Sequence, residues 1–147
     1  MSVETNPLIV VGVDGSAPAT NALEYAIEEA QLRKAALHVV YAYTVMASRV
    51  TGTTGKDYYD QVEAEAKEFL QGIVTAAPPV GDLKVEWLAA PGNPAEVLIG
   101  ASEGATLLVV GSRGVGGFRG LLMGSVSTQC VHHSHCPVLV VREGHGD

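Results

Sequence analysis

Apolar positions in this 147-residue chain form short continuous runs separated by stretches of helical period. Pro7 to Val13 (PLIVVGV) is unbroken and β-branched, the pattern of a strand buried on both faces. It ends at Asp14-Gly15-Ser16. Ser16 suits an N-cap and Pro18 the first helical turn. Ala19, Ala22, Leu23, Ala26, Ile27 and Ala30 then keep i, i+3, i+4, i+7 spacing, so 17–34 reads as an amphipathic helix. Leu37 to Tyr43 (LHVVYAY) is a second strand. Thr44 to Lys56, with Gly52, Gly55 and four threonines, reads as a surface loop, either a lid or a plain connection.

Val62, Ala66, Phe69, Leu70 and Ile73 mark a second helix over 57–76, stopped by Pro78, Pro79 and Gly81. Leu83 to Ala90 alternates Leu83, Val85 and Trp87 against Lys84 and Glu86. That is a strand with one wetter face, as at a sheet edge. Asn93-Pro94-Ala95-Glu96 resembles a capping box and starts a short helix that ends near Gly104. Thr106 to Val110 (TLLVV) is a fourth strand. A helix over 126–133 follows, blocked by Pro137, and Val138 to Val141 (VLVV) is a fifth strand. The order βαβαβαβαβ predicts an α/β domain, a parallel sheet with about four helices on both faces. No linker or repeat divides it, so 1–147 is expected to be one domain, frayed at 1–6 and 143–147.

Between the fourth strand and the last helix lies GSRGVGGFRGLLMGSVS, Gly111 to Ser127. Six of the 17 glycines fall between Gly111 and Gly124. Glycines this dense leave backbone amides open to a ligand. A strand, a glycine-rich connection and a helix start make an anion site, because free N–H groups and the helix dipole favour negative charge. Arg113 and Arg119 add charge, and Ser125 and Ser127 add hydroxyls. A Walker loop is excluded because no lysine occurs in this stretch. The dinucleotide fingerprint is excluded because Arg119 stands where its third glycine belongs.

Gly111, Gly114, Gly124 and Ser125 have the spacing G-x2-G-x9-G-[ST], which resembles the nucleotide-binding signature of the universal stress proteins. IVVGVDGS, LHVVYAY, GNPAEVLIGASEGATLLVVGSRG and CPVLVVRE also resemble segments of that family, in the family's order. The resemblance implies a Rossmann-like sandwich with strand order 3-2-1-4-5, placing the reversal of strand order between the first and fourth strands. Ligands of open α/β sheets lie at that reversal. It further implies that Gly12 and Val13 line a base pocket and that Ala42 reads adenine with its backbone. Gly111, Arg113, Gly114, Gly124, Ser125, Val126 and Ser127 would hold ribose and phosphates. Asp14 has two readings, a contact to the ribose or to Mg²⁺ on the phosphates, and a cap on the turn into the first helix. The implied ligand is ATP with Mg²⁺. The implied assembly is a homodimer through Val138, Leu139, Val140 and Val141, and the implied role is stress response and regulation.

A net charge of −7 argues against nucleic acid as a partner. No apolar run approaches the ~20 residues of a membrane helix. No charged region precedes an apolar stretch near the start, and two cysteines suit a reducing compartment, so a cytoplasmic protein is expected. The segment CVHHSHC, Cys130 to Cys136, suggests zinc, but it lacks paired C-x2-C spacing and reads better as a helix end whose histidines favour the dipole. Cys136 reads as a small buried apolar residue. No Gly-x-Ser-x-Gly elbow or acidic pair supplies catalytic machinery. Binding with slow or no hydrolysis is therefore expected, the alternatives being a slow ATPase or nucleotidyl-transfer enzyme and a sensor of another adenine nucleotide such as cyclic AMP.

Overall fold

The computed structural model describes residues 6–46, 55–114 and 123–143. The elements run β1 (Leu8–Gly12), α1 (Ala17–Arg33), β2 (Ala36–Tyr43), α2 (Gly55–Ala76), β3 (Val85–Pro91), α3 (Pro94–Ala101), β4 (Leu107–Gly111), α4 (Ser125–His133) and β5 (Val138–Val141). The five strands form one parallel sheet in the order β3-β2-β1-β4-β5. The chain is thus a Rossmann-like α/β fold.

The unbroken apolar runs are explained by burial on both faces. Ile9 and Val11 of β1 face α1 and α2, together with Leu37, Val39 and Val109. Val10 faces α3 and α4, with Val40, Leu108 and Val110. Ile9, Val10 and Val11 are all fully buried. Helix α1 meets the sheet through small side chains, Ala22, Ala26 and Ala30, none of which is exposed. Its start follows the expected chemistry, since the Ser16 hydroxyl accepts the Ala19 N–H at 3.3 Å. It ends at Lys34, whose left-handed backbone (φ 54°) closes the last turn.

Strand β3 lies at a sheet edge, as its alternation predicts, with Glu86 and Leu88 exposed. Its ladder begins at Val85, not at Leu83. Leu83 instead donates its N–H to Val80 in the preceding turn, at 3.3 Å. Helix α2 starts at Gly55, two residues before the expected Asp57. Of the loop read over 44–56, residues 47–54 lie outside the described residues. Helix α3 starts as expected, with the Asn93 side chain accepting the Glu96 N–H at 3.1 Å, but ends at Ala101.

Candidate nucleotide crevice

A crevice of about 410 Å³ opens at the carboxyl ends of β1, β2 and β4, where the strand order reverses. Gly12, Val13, Asp14, Ala42, Gly111, Arg113, Gly114, Val126 and Ser127 line it. The structure therefore brings together nine of the residues singled out in the sequence. Gly124 and Ser125 stand outside that lining. Arg119 lies outside the described residues.

The β1–β2 ladder explains why Ala42 is suited to reading a base. Its last rung pairs Gly12 with Val40, and the Val13 N–H reaches the Val40 carbonyl at 2.9 Å. Backbone groups along a strand alternate sides. The Tyr43 carbonyl accepts the Gly92 N–H at 2.9 Å on the β3 side. The Ala42 N–H and carbonyl therefore turn to the β1 side, past the point where β1 has ended. A donor and an acceptor on one residue, at one wall of the crevice, can match the edge of a purine.

Asp14 caps the turn into α1 through one of its oxygens. Its Oδ1 accepts the Ser16 N–H at 2.9 Å and the Ser16 hydroxyl. Its other oxygen faces Gly114: a Cβ at Gly114 would stand 2.9 Å from Asp14 Oδ2. The lack of a side chain at Gly114 thus lets the carboxylate lie against the start of the glycine-rich stretch.

The remaining glycines serve different purposes. A Cβ at Gly111 would come within 2.8 Å of both the Ala19 nitrogen and the Pro18 carbonyl carbon. That glycine is required for α1 to pack against the end of β4. A Cβ at Gly12 would meet only the tip of Leu98, at 2.6 Å. At Gly124 it would lie 3.3 Å from Arg113 Cα.

Ser127 has almost no exposed surface. Its hydroxyl accepts the Gly124 N–H at 3.1 Å and lies 2.8 Å from the Ser112 carbonyl, to which it donates. The Gly124 N–H also reaches the Ser112 carbonyl at 2.6 Å. Ser127 thus ties the start of α4 to the end of β4, and the Gly124 amide is already engaged within the protein. The amides of Ser125, Val126 and Ser127 belong to the first helical turn, which has no partners inside the helix. Arg113 is largely buried and lies 3.6 Å from Glu143, in the stretch expected to fray.

The sequence reading missed Ala19, Val40, Tyr41, Pro94, Leu98 and Val110 in the crevice wall. Val110 was legible from parity, two positions after buried Leu108. Pro94 and Leu98 come from α3, far away in the chain, and no local pattern signals their arrival. At the end of β2, burial and the Glu63 carboxylate of α2 hold the Tyr43 phenol above its ordinary pKa, while Lys67 pulls the other way.

In the CVHHSHC segment, Cys130 is fully buried, Cys136 only half-buried, and His135 pairs with Glu103 at 3.0 Å. Among the described residues no three His, Cys, Asp or Glu side chains gather as a metal set. No described helix is long and apolar enough to cross a membrane.

A parallel α/β sheet with a ligand-sized crevice at its reversal point defines the broad class of this protein. Residues 7–142 match the universal stress protein family, and the chain belongs to it. It is 35% identical over 145 residues to universal stress protein YxiE of Bacillus subtilis (strain 168), covering 91% of this chain and 97% of that one. It is 34% identical to universal stress protein Rv2005c of Mycobacterium tuberculosis (strain ATCC 25618 / H37Rv), over 92% of this chain but only 45% of that longer one. A universal stress protein solved in complex with cAMP superposes with a TM-score of 0.70 at 26% identity, covering 96% of this chain and all of that one.

Proposed function

We propose that this protein binds an adenine nucleotide in the crevice between β1 and β4. The observation that carries the reading is the Ala42 backbone turned past the end of β1, beside Asp14 and the glycines that leave the crevice open. A volume of about 410 Å³ falls within the range of small-molecule sites. The cAMP complex of the 26% identical relative supports the ligand class.

In this reading Gly12 and Val13 flank the base and Ala42 pairs with its edge. Asp14 lies near the ribose or a phosphate-bound Mg²⁺. Arg113, Gly114 and the amides of Ser125, Val126 and Ser127 take the phosphates, as a helix start does. The Gly124 and Ser127 side of the site acts by shaping the backbone. ATP with Mg²⁺ is the proposed ligand, and the bound state is proposed to act in cytoplasmic stress regulation rather than in turnover. The edge strand β5, with Val138, Leu139 and Val140 half-buried, is proposed to pair with a second copy.

Calorimetric titration with ATP, AMP and cyclic AMP, each with and without Mg²⁺, tests the ligand. Saturable binding that is tightest for Mg-ATP is expected. Cyclic AMP binding more tightly than ATP would turn the reading toward a cyclic nucleotide sensor, and no binding of any of the three would overturn it. Sedimentation velocity tests the pairing through β5, for which a dimer mass is expected.

A further inference from the structure

A second crevice, of about 510 Å³, lies between α1 and α2 and shares only Val13 and Ala19 with the lining of the nucleotide crevice. Its floor is apolar, with Leu23 from α1 and Ile73 from α2. Phe69 borders it and is 43% exposed, and in all of α2 only Gly55, Ala66 and Leu70 are buried. Part of the apolar stripe of α2 is therefore left exposed among the described residues.

Gly72 sharpens this picture. It sits inside α2 and lines the same crevice. Glycine inside a helix weakens it relative to alanine. At Gly111 the chain demands a glycine, but an added Cβ at Gly72 would meet nothing within 4 Å. Its φ lies outside the left-handed range, so no backbone conformation requires it either. The glycine leaves empty space in the crevice wall.

The rim carries charge of one sign. Glu24 of α1 and Glu68 of α2 both border the crevice, and among the described residues no Lys or Arg lines it. We propose that this crevice is a binding site for a small apolar ammonium compound, an aryl- or alkylamine. Its hydrocarbon body lies against Phe69, Ile73 and the gap at Gly72. Its cationic head meets the Glu24 and Glu68 carboxylates. The volume suits a single small molecule. Charge complementarity selects a cation over a neutral or anionic body of the same shape.

The test is an amide NMR titration of the full chain, without nucleotide, using 4-phenylbutylamine, 4-phenylbutanol and 4-phenylbutyrate. Leaving out the nucleotide keeps the result independent of the other crevice. Saturable shifts at Thr20, Glu24, Phe69 and Gly72 are expected for the amine. The alcohol should bind about two- to five-fold more weakly, the scale of an exposed ion pair, and the acid more weakly still. The double variant Glu24→Gln, Glu68→Gln should erase the preference for the amine. Gly72→Leu, which restores helix propensity and fills the gap, should abolish saturation while the spectrum stays folded. Shifts scattered over the surface, equal affinity for all three probes, or unchanged saturation in Gly72→Leu would each overturn the proposal.

Discussion

Gly114 leaves room for Asp14: a Cβ on the glycine would stand 2.9 Å from Asp14 Oδ2. The same carboxylate holds the Ser16 N–H through its other oxygen. The turn that starts α1 and the stretch that follows β4 therefore meet at one acidic side chain.

Gly114→Val should separate ligand binding from folding. The added side chain pushes the Asp14 carboxylate and narrows the crevice, while Gly114 itself is exposed rather than part of the core. Nucleotide affinity should fall at least about tenfold, with stability changed by no more than about 1 kcal/mol, as for substitutions away from the core. Calorimetry beside urea unfolding checks both, and an unchanged affinity would count against the phosphate assignment.

Gly111→Val should do the reverse. Its Cβ would meet the backbone of Pro18 and Ala19 at 2.8 Å, and backbone cannot rotate away. Overpacking of this kind costs about 1–3 kcal/mol. The urea midpoint should drop accordingly, and an unaltered midpoint would show that α1 can move off β4.

Ser127→Ala removes a buried hydroxyl that accepts one hydrogen bond and donates to the Ser112 carbonyl. The expected loss is about 1–2 kcal/mol, because the groups left behind lose a partner. Ser127→Thr keeps the hydroxyl and should recover part of it. If both variants unfold like the parent protein, the hydroxyl has no structural role.

Cys130 gives a pH signature. Burial, and to a lesser extent Cys136 nearby, pushes its thiol up to about 11 from 9.0. A folded-state pKa above the unfolded one means the folded protein resists losing that proton. The contribution to stability is therefore full below about pH 9 and is lost as pH rises toward 11. Cys130→Ala should flatten the decline in stability over that window, relative to the parent protein. Iodoacetamide at pH 8 should modify half-buried Cys136 well before Cys130, and equal rates would contradict the burial.

Much of the fold was legible because burial on both faces leaves continuous runs such as LIVVG and LLVVG, and because Ser16, Pro18 and Asn93 mark helix starts chemically. The strand order was not contained in those runs. It came from the family resemblance, and the observed sheet has it. The first residues of α2 were missed because Gly55 and its threonine-rich neighbours resemble a loop. The start of β3 was missed by two residues because alternation gives a face but not the first rung. In the crevice, the glycine spacing located the right strands but could not tell a glycine kept for packing, Gly111, from one that makes room for a carboxylate, Gly114. That distinction depends on which atoms of distant α1 and the β1–α1 turn arrive beside each.

The Ser112 carbonyl receives both the Gly124 amide and the Ser127 hydroxyl. One oxygen atom at the end of β4 therefore fixes where α4 begins. A change that turned this oxygen aside would release two donors at once. The sheet and the helix beside it would lose a common anchor in a single step.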